Sequence, residues 1–421
     1  MRAMLDFEEA LARLLAGAQP LHETEAVPTQ AAAGRVLAQA LHSTLDVPPL
    51  DNTSMDGYAL RCADVPAVGA QLQVAQRIPA GSVGQMLAPG TAARIFTGAP
   101  LPAGADAVVM QELCGVEGDL LTVNHLPQPG EWIRRRGEDI AAGAEVLAAG
   151  TRLSAAHVGV AASVGAAQLT VFRRLRVALF STGDELTMPG EPLKPGGIYN
   201  SNRYTLRALL EGLGCTVDDF GIVPDSREAT RAALRAAAAG NDLILTSGGV
   251  SVGEEDHVKP AVEAEGALDL WKIAIKPGKP LAFGAVRREV GAGGTATAAA
   301  NAAANRAASA AAAFIGLPGN PVSSFVTFLM LVRPFILKAQ GASAVTPQAQ
   351  RLRADFDCKG DPRREFLRAR IGASGGLELF VNQSSGVLTS CTWADGLIDN
   401  PPGQAIVRGD TVRFLPFCEL L

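Results

Sequence analysis

The chain has 421 residues, of which 48% are apolar, and a formal net charge of −5. That length exceeds one hydrophobic core, so about two to four domains are expected. The mildly acidic balance argues against general nucleic-acid binding, which normally needs a basic face.

Asp6 to Ala16 has the pattern of a short amphipathic helix, with Leu11, Leu14 and Leu15 on one face. A mixed region follows to about Leu45. Pro48, Pro49 and Asp51 then lead into a dense polar loop, Asp51 to Tyr58. Short β-like pieces come next at Leu72–Ala75, Ala93–Phe96, Ala107–Met110 and Leu120–Val123, separated by Gly/Pro turns. The spacing predicts a β-rich module over 46–141, ending near Arg134-Arg135-Arg136-Gly-Glu-Asp139. Residues 142–175 return to helix and short strand.

Residues 176–342 read as an α/β domain. Val177–Phe180, Val217–Val223, Leu243–Leu245 and Phe314–Leu317 are apolar runs that end in polar turns. Helices are expected over Arg203–Leu213, with Gly214 as terminator, and from a Ser226 cap to Ala239. Asn320 and Pro321 start a long apolar helix through Phe328, which Pro334 should kink or break. This alternation indicates a doubly wound, largely parallel sheet. The Ala-rich segment 287–313 is low in complexity and reads as a surface loop or marginal helix. Residues 343–421 carry short β runs at Leu377–Val381, Gln404–Val407 and Thr411–Leu415, which suggest a small β-barrel or sandwich.

Ligands in open α/β sheets sit at the carboxyl ends of strands. Three turns stand there: Ser181-Thr182-Gly183-Asp184-Glu185, Thr246-Ser247-Gly248-Gly249 with Ser251 beyond it, and Pro318-Gly319-Asn320-Pro321 with Ser323 and Ser324. Each is a phosphate- or metal-contacting turn, or else an ordinary capped turn. A helix start after Asn320 favours anions. Asp56, Asp139, Glu185, Asp225 and Asp256 are isolated acids in loops. They suit a hard cation such as Mg²⁺, which takes oxygen ligands shared with phosphates, although Asp225 and Asp256 could equally be helix caps. Lys272, Lys276 and Lys279 surround Pro277-Gly278. On one extended strand Lys272 and Lys276 would share a face and converge on an oxyanion; the plainer reading is a lysine-blunted edge.

The six cysteines are scattered with no CxxC, and the five histidines show no metal-ligand spacing. That suits a reducing compartment and disfavours zinc. The start carries no signal-peptide pattern. Phe325–Val332, the most apolar run, falls short of the roughly 20 residues a bilayer span needs. A cytoplasmic protein without nucleic-acid or membrane partner is expected. Walker A and post-strand GxGxxG motifs are absent.

Seven motifs occur together in order: Asp51-Asn-Thr-Ser-Met-Asp-Gly-Tyr-Ala59, Arg94-Ile-Phe-Thr-Gly-Ala-Pro100, Arg136-Gly-Glu-Asp139, Ser181-Thr-Gly-Asp-Glu185, Ser247-Gly-Gly-Val-Ser-Val-Gly253, Ile275-Lys-Pro-Gly-Lys-Pro280 and Leu317-Pro-Gly-Asn-Pro321. Together they resemble the molybdopterin molybdenumtransferase family of MoeA type, related to the gephyrin E domain. The resemblance covers nearly the whole chain. It implies a four-part, elongated homodimer: a discontinuous N-terminal domain (1–45 and 142–175) into which the β-rich module is inserted, a molybdopterin-binding α/β domain and a closing β-barrel. It also implies the last step of molybdenum cofactor synthesis: adenylylated molybdopterin and molybdate give the cofactor and AMP, with Mg²⁺. The site would lie between the α/β domain of one subunit and the β-rich module of the other.

By motif, the catalytic positions fall on Asp56, Thr97, Asp139, Glu185, Asp225, Asp256, Lys272 and Lys276, with Glu185, Asp225 and Asp256 as metal ligands. Substrate contacts fall on Ser181, Thr182, Gly183, Ser247, Gly248, Gly249, Ser251, Lys279, Pro318, Gly319, Asn320 and Ser323, with Arg368 and Ser385 in the C-terminal domain. Implied partners are an enzyme that donates adenylylated molybdopterin and the apo-molybdoenzymes, or their chaperones, that receive the cofactor. Two other functions compete. One is molybdopterin adenylylation, which a lone α/β domain performs and which leaves the Asp56 and Asp139 loops unexplained. The other is a gephyrin-like receptor scaffold, which the retained acids disfavour.

Overall fold

The computed structural model describes residues 4–249, 257–288 and 310–421. Its centre is a six-stranded sheet: β1 (Arg176–Thr182), β2 (Thr216–Val223), β3 (Leu243–Ser247), β4 (Gly266–Lys272), β5 (Pro280–Arg287) and β6 (Ala311–Leu317). The spatial order is β2-β1-β3-β6-β5-β4. The first four strands are mutually parallel, and β5 runs antiparallel to both β6 and β4. Apolar runs form these strands because both faces are covered. Leu179, Leu245 and Ile315 point into one core, while Phe180, Ile244 and Phe314 point into the other.

The connecting helices follow the sequence signals closely. Asn200 caps Ser201–Gly212 by accepting from the Arg203 N–H at 3.2 Å, and Ser226 caps Arg227–Gly240 by accepting from the Ala229 N–H at 3.2 Å. The long helix departs from expectation. It starts at Pro321 but runs on to Ala339, through a π-helical turn at Phe328–Val332. Pro334 follows that turn and does not end the helix. A proline lacks an N–H and clashes with the carbonyl four residues back, and the wider π turn relieves both problems. This 19-residue segment is apolar and long enough to cross a bilayer, but 94% of its apolar window is buried inside the protein. It is the core helix of the sheet's larger face.

The Ala-rich expectation over 287–313 falls largely on 289–309, outside the described residues. Its flanks are paired, with Arg287 opposite Ala311.

The discontinuous N-terminal part is joined by antiparallel pairing of Thr24–Pro28 with Gln168–Phe172. Leu41–His42 pairs with Glu145–Leu147. The first helix, Phe7–Gly17, instead packs on the central core through Phe7, Ala10 and Leu14. Its Phe7 ring meets Phe366 of the C-terminal domain edge-on at 5.4 Å. The inserted module holds its own six-stranded sheet, from Gly57 to Val123.

The C-terminal strands are Gln350–Arg353, Arg364–Ile371, Leu377–Leu379, Gly396–Asn400 and Thr411–Pro416. A bridge from Ala354 to Leu377 joins the first to the third and closes the pairing path into a small barrel. Gln404–Val407 is not a strand; it contributes only a bridge from Ile406 to Cys358. Turns on both sides leave that run too short to pair further.

Candidate active site

The parallel register places the carboxyl ends of the central strands side by side. Ser181 sits opposite Ser247, and Ser247 opposite Leu317. The loops that follow therefore converge on one cleft of about 1100 Å³. Strand β1 delivers Thr182, Gly183 and Glu185, and β2 delivers Asp225. Strand β3 delivers Ser247, Gly248 and Gly249, and β6 delivers Pro318, Gly319 and Asn320. The turn between β4 and β5 adds Lys276 and Lys279, and the long helix adds Ser323.

The Ser-Gly-Gly turn has room for backbone only. Gly249 has φ +65°, and a β-carbon there would lie 2.4 Å from Val258 Cγ2 and 2.7 Å from Thr182 Oγ1. Such a turn exposes N–H groups to a ligand with no side chain between. Asn320 occupies the cap position of the long helix, but its side chain makes no capping bond. The plain capping role therefore does not consume that side chain. Asn202 Nδ2 donates to the Gly319 carbonyl at 2.7 Å and ties this loop to the helix after β1.

Among the described residues two carboxylates and three cations line the cleft: Glu185 and Asp225 against Lys276, Lys279 and Arg363. The Lys276 ammonium lies 3.0 Å from Glu365 Oε1 and 3.1 Å from Asp361 Oδ2. Burial alone would push its pKa down, but hydrogen bonds to Glu365 and Asp361 outweigh that and raise it. Asp361 in turn is held below the carboxylate range, chiefly by its hydrogen bond from Arg363.

Several expected residues stand elsewhere. Asp56 and Thr97 are joined within the β-rich module: Asp56 Oδ1 accepts the Thr97 N–H at 2.8 Å and its hydroxyl at 2.7 Å. Those two bonds, the hydroxyl first, hold the Asp56 carboxyl below its ordinary pKa. Asp139 sits in the neighbouring loop, its N–H on the Val47 carbonyl. The two loops are laced together by pairing of Thr53 with Ile133 and Asn52 with Arg134. The arginine run is tied down at the same place, with Arg135 and Arg136 on Asp51 at 2.8 Å each. Among the described residues, none from this module lines the cleft of its own chain.

Lys272 ends the edge strand β4, whereas Lys276 pairs with the C-terminal barrel, so they lie on two sheets rather than one extended strand. Lys272 does not line the cleft. Ser181 lies beneath it, its hydroxyl 3.2 Å from that of Ser247. Ser251 and Asp256 lie outside the described residues.

In the C-terminal domain, Ser385 lines the cleft and Arg368 does not. Arg368 is 1% exposed. Its Nε donates to Ser390 Oγ at 3.2 Å and its Nη1 to the Phe366 carbonyl at 3.2 Å. Gln383 bonds to both the N–H and the carbonyl of Arg368, at 2.9 and 3.0 Å. Arg368 thus anchors the 383–386 loop from behind. The arginine at the cleft is Arg363, which the motif reading passed over.

Asn200 was also missed. It is 2% exposed, lines the cleft, and its Nδ2 has no partner among the described residues. Its position directly before a helix signalled only a cap.

Glu185 and Asp225 offer hard oxygen donors, as Mg²⁺ requires. The Glu185 carboxylate lies over Gly183, where a β-carbon would come within 2.5 Å of Oε2, so the glycine makes room for it. Among the described residues no cluster of three or more His, Cys, Asp and Glu gathers. The donor set fits an ion that keeps waters and shares substrate phosphates, not a closed protein cage.

Residues 5–165 match the MoeA N-terminal region (domain I and II), residues 178–338 the probable molybdopterin binding domain, and residues 351–417 the MoeA C-terminal region (domain IV). The molybdopterin molybdenumtransferase of Haemophilus influenzae is 42% identical over 340 residues, which span 80% of this chain and 78% of that one. Gephyrin of Dictyostelium discoideum is 32% identical over 88% of this chain and 55% of its own length. A solved molybdopterin biosynthesis moeA protein from Pyrococcus horikoshii OT3 superposes with a TM-score of 0.80 at 27% identity, covering 98% of this chain and 100% of that one. The three matched ranges together cover most of the chain, and the chain belongs to the molybdopterin molybdenumtransferase family of MoeA type.

Proposed function

We propose that the cleft binds adenylylated molybdopterin and molybdate, inserts molybdenum into the dithiolene and releases AMP. The carrying observation is the convergence of three anion-binding strand-end loops with Lys276, Lys279 and Arg363 beside Glu185 and Asp225. The N–H groups of Gly249, Gly319 and Asn320 bind phosphate oxygens, while that of Gly248 is held by the Leu317 carbonyl at 3.1 Å. Lys276, Lys279, Arg363 and the Ser323 and Ser385 hydroxyls hold a tetrahedral oxyanion by charge-assisted hydrogen bonds. Glu185 and Asp225 would hold Mg²⁺, which would supply charge neutralisation at the phosphates and Lewis-acid chemistry. Cleavage of the phosphoanhydride needs an oxygen nucleophile, from molybdate or water, so no side-chain nucleophile is required.

The protein works as a cytoplasmic homodimer in this reading. The Asp56–Thr97 pair and Asp139 do not line their own chain's cleft, and a second copy supplies them. The donor of adenylylated molybdopterin and the acceptor apo-enzymes are transient partners. A titration tests the metal assignment. Asp225→Asn and Glu185→Gln should raise the Mg²⁺ concentration needed for AMP release about tenfold or more. An unchanged Mg²⁺ requirement in both variants would contradict it.

A further inference from the structure

Two of the cleft's three cations arrive already paired. Lys276 lies between Glu365 and Asp361. Arg363 donates to the same Asp361 from its N–H at 3.0 Å, Nε at 3.1 Å and Nη2 at 3.4 Å. Neither acid lines the cleft; both stand behind the cations that do. The Glu365 side chain is only 3% exposed, and its second oxygen, Oε2, is buried with no hydrogen-bond partner among the described residues. A carboxylate kept in that condition is costly and not needed to orient a lysine, since a neutral amide would accept the same bond.

We infer that Asp361 and Glu365 form a counter-charge clamp that fixes Lys276 and Arg363 in place and weakens the cleft's hold on its oxyanion. This inference rests on the cleft being an oxyanion site. The four charges cancel, so the wall offers oriented donors with little net field. A dianion on the open side of Lys276 feels both donors and the acids behind them. Tight ground-state binding would not accelerate transfer of the metal. The clamp keeps donor geometry while lowering that binding, so the oxyanion can leave the lysine for its acceptor. Asp361 and Glu365 are therefore positioning residues that act through Lys276 and Arg363.

The test uses the full chain and two tetrahedral probes, molybdate (a dianion) and perrhenate (a monoanion), by calorimetry at fixed ionic strength. Glu365→Gln and Asp361→Asn keep an acceptor but remove a charge. Each should tighten molybdate about three- to tenfold, with a shift in log Kd for perrhenate about half as large. A role confined to folding would move Tm and leave both affinities unchanged. Unchanged or weaker molybdate binding in both folded variants overturns the clamp while leaving the oxyanion site intact. Failure of wild type to bind either probe overturns the site assignment and the clamp together.

Discussion

Asp56 Oδ1 receives both donors of Thr97, its N–H and its hydroxyl, across 41 residues of chain. This contact fixes a carboxylate at the rim of a module that contributes nothing to its own chain's cleft. In the proposed function a second copy brings this carboxylate to the cleft.

Mixing tests this sharing. Asp56→Ala and Asp225→Ala homodimers should each lose about a hundredfold or more in AMP release. Co-refolded together they should regain activity, because one cleft of each mixed dimer carries neither change. No recovery in verified mixed dimers would mean that each chain builds its whole site alone.

The Asp56 carboxyl is held low, so its stabilisation is present above the ordinary carboxylate pKa and is lost as pH falls through the lowered value. Its NMR titration should therefore lie below about pH 3.9 in wild type. Thr97→Val removes the larger of the two bonds and should move the midpoint upward. A midpoint that stays put would show that the hydroxyl bond is not what holds it.

Lys276 has the opposite sign. Its pKa is raised, so the ion-pair stabilisation is complete below the ordinary lysine value and fades only as pH rises through the higher one. Oxyanion affinity should stay flat from about pH 7 to pH 9.5. A fall across that window would place a titrating donor other than Lys276 in control.

Gly249→Ala forces a β-carbon against Val258 and Thr182 at φ +65°. The backbone term alone is about 1–2 kcal/mol, and the turn should lose phosphate affinity. Gly159→Ala is the matched control. It sits within the helix Ala155–Ser163 with nothing within 4 Å of an added β-carbon, and should stabilise by about 0.5–1 kcal/mol. Equal effects of the two changes on Tm would contradict the turn's steric account.

The two arginines of the barrel strand should separate cleanly. Arg363→Ala should weaken oxyanion binding with little change in Tm. Arg368→Met should lower Tm, since the Ser390 hydroxyl and Phe366 carbonyl lose their buried donor. The reverse pattern would return Arg368 to the binding surface.

The strand-end loops were legible because each couples a buried apolar run to a Gly/Ser turn, a local signal that a parallel sheet turns into proximity. Ser226 as a cap was legible for the same reason. Arg363 was not. It reaches the cleft because Ile275–Lys276 pairs with Arg364–Glu365, a contact between segments nearly ninety residues apart. Nothing within Asp361–Arg370 distinguishes an arginine that faces a ligand from one buried under a loop. Likewise the π turn before Pro334 answers packing around a wholly buried helix, which local propensity does not register.

The most direct measurement of the central claim is AMP release from adenylylated molybdopterin by the purified protein with Mg²⁺, with and without molybdate, followed by activation of an apo-molybdoenzyme. AMP release that depends on molybdate, yields active enzyme and fails in Asp56→Ala is the expected result. Consumption of ATP and free molybdopterin without any need for molybdate would contradict it and assign the cleft to the adenylylating step.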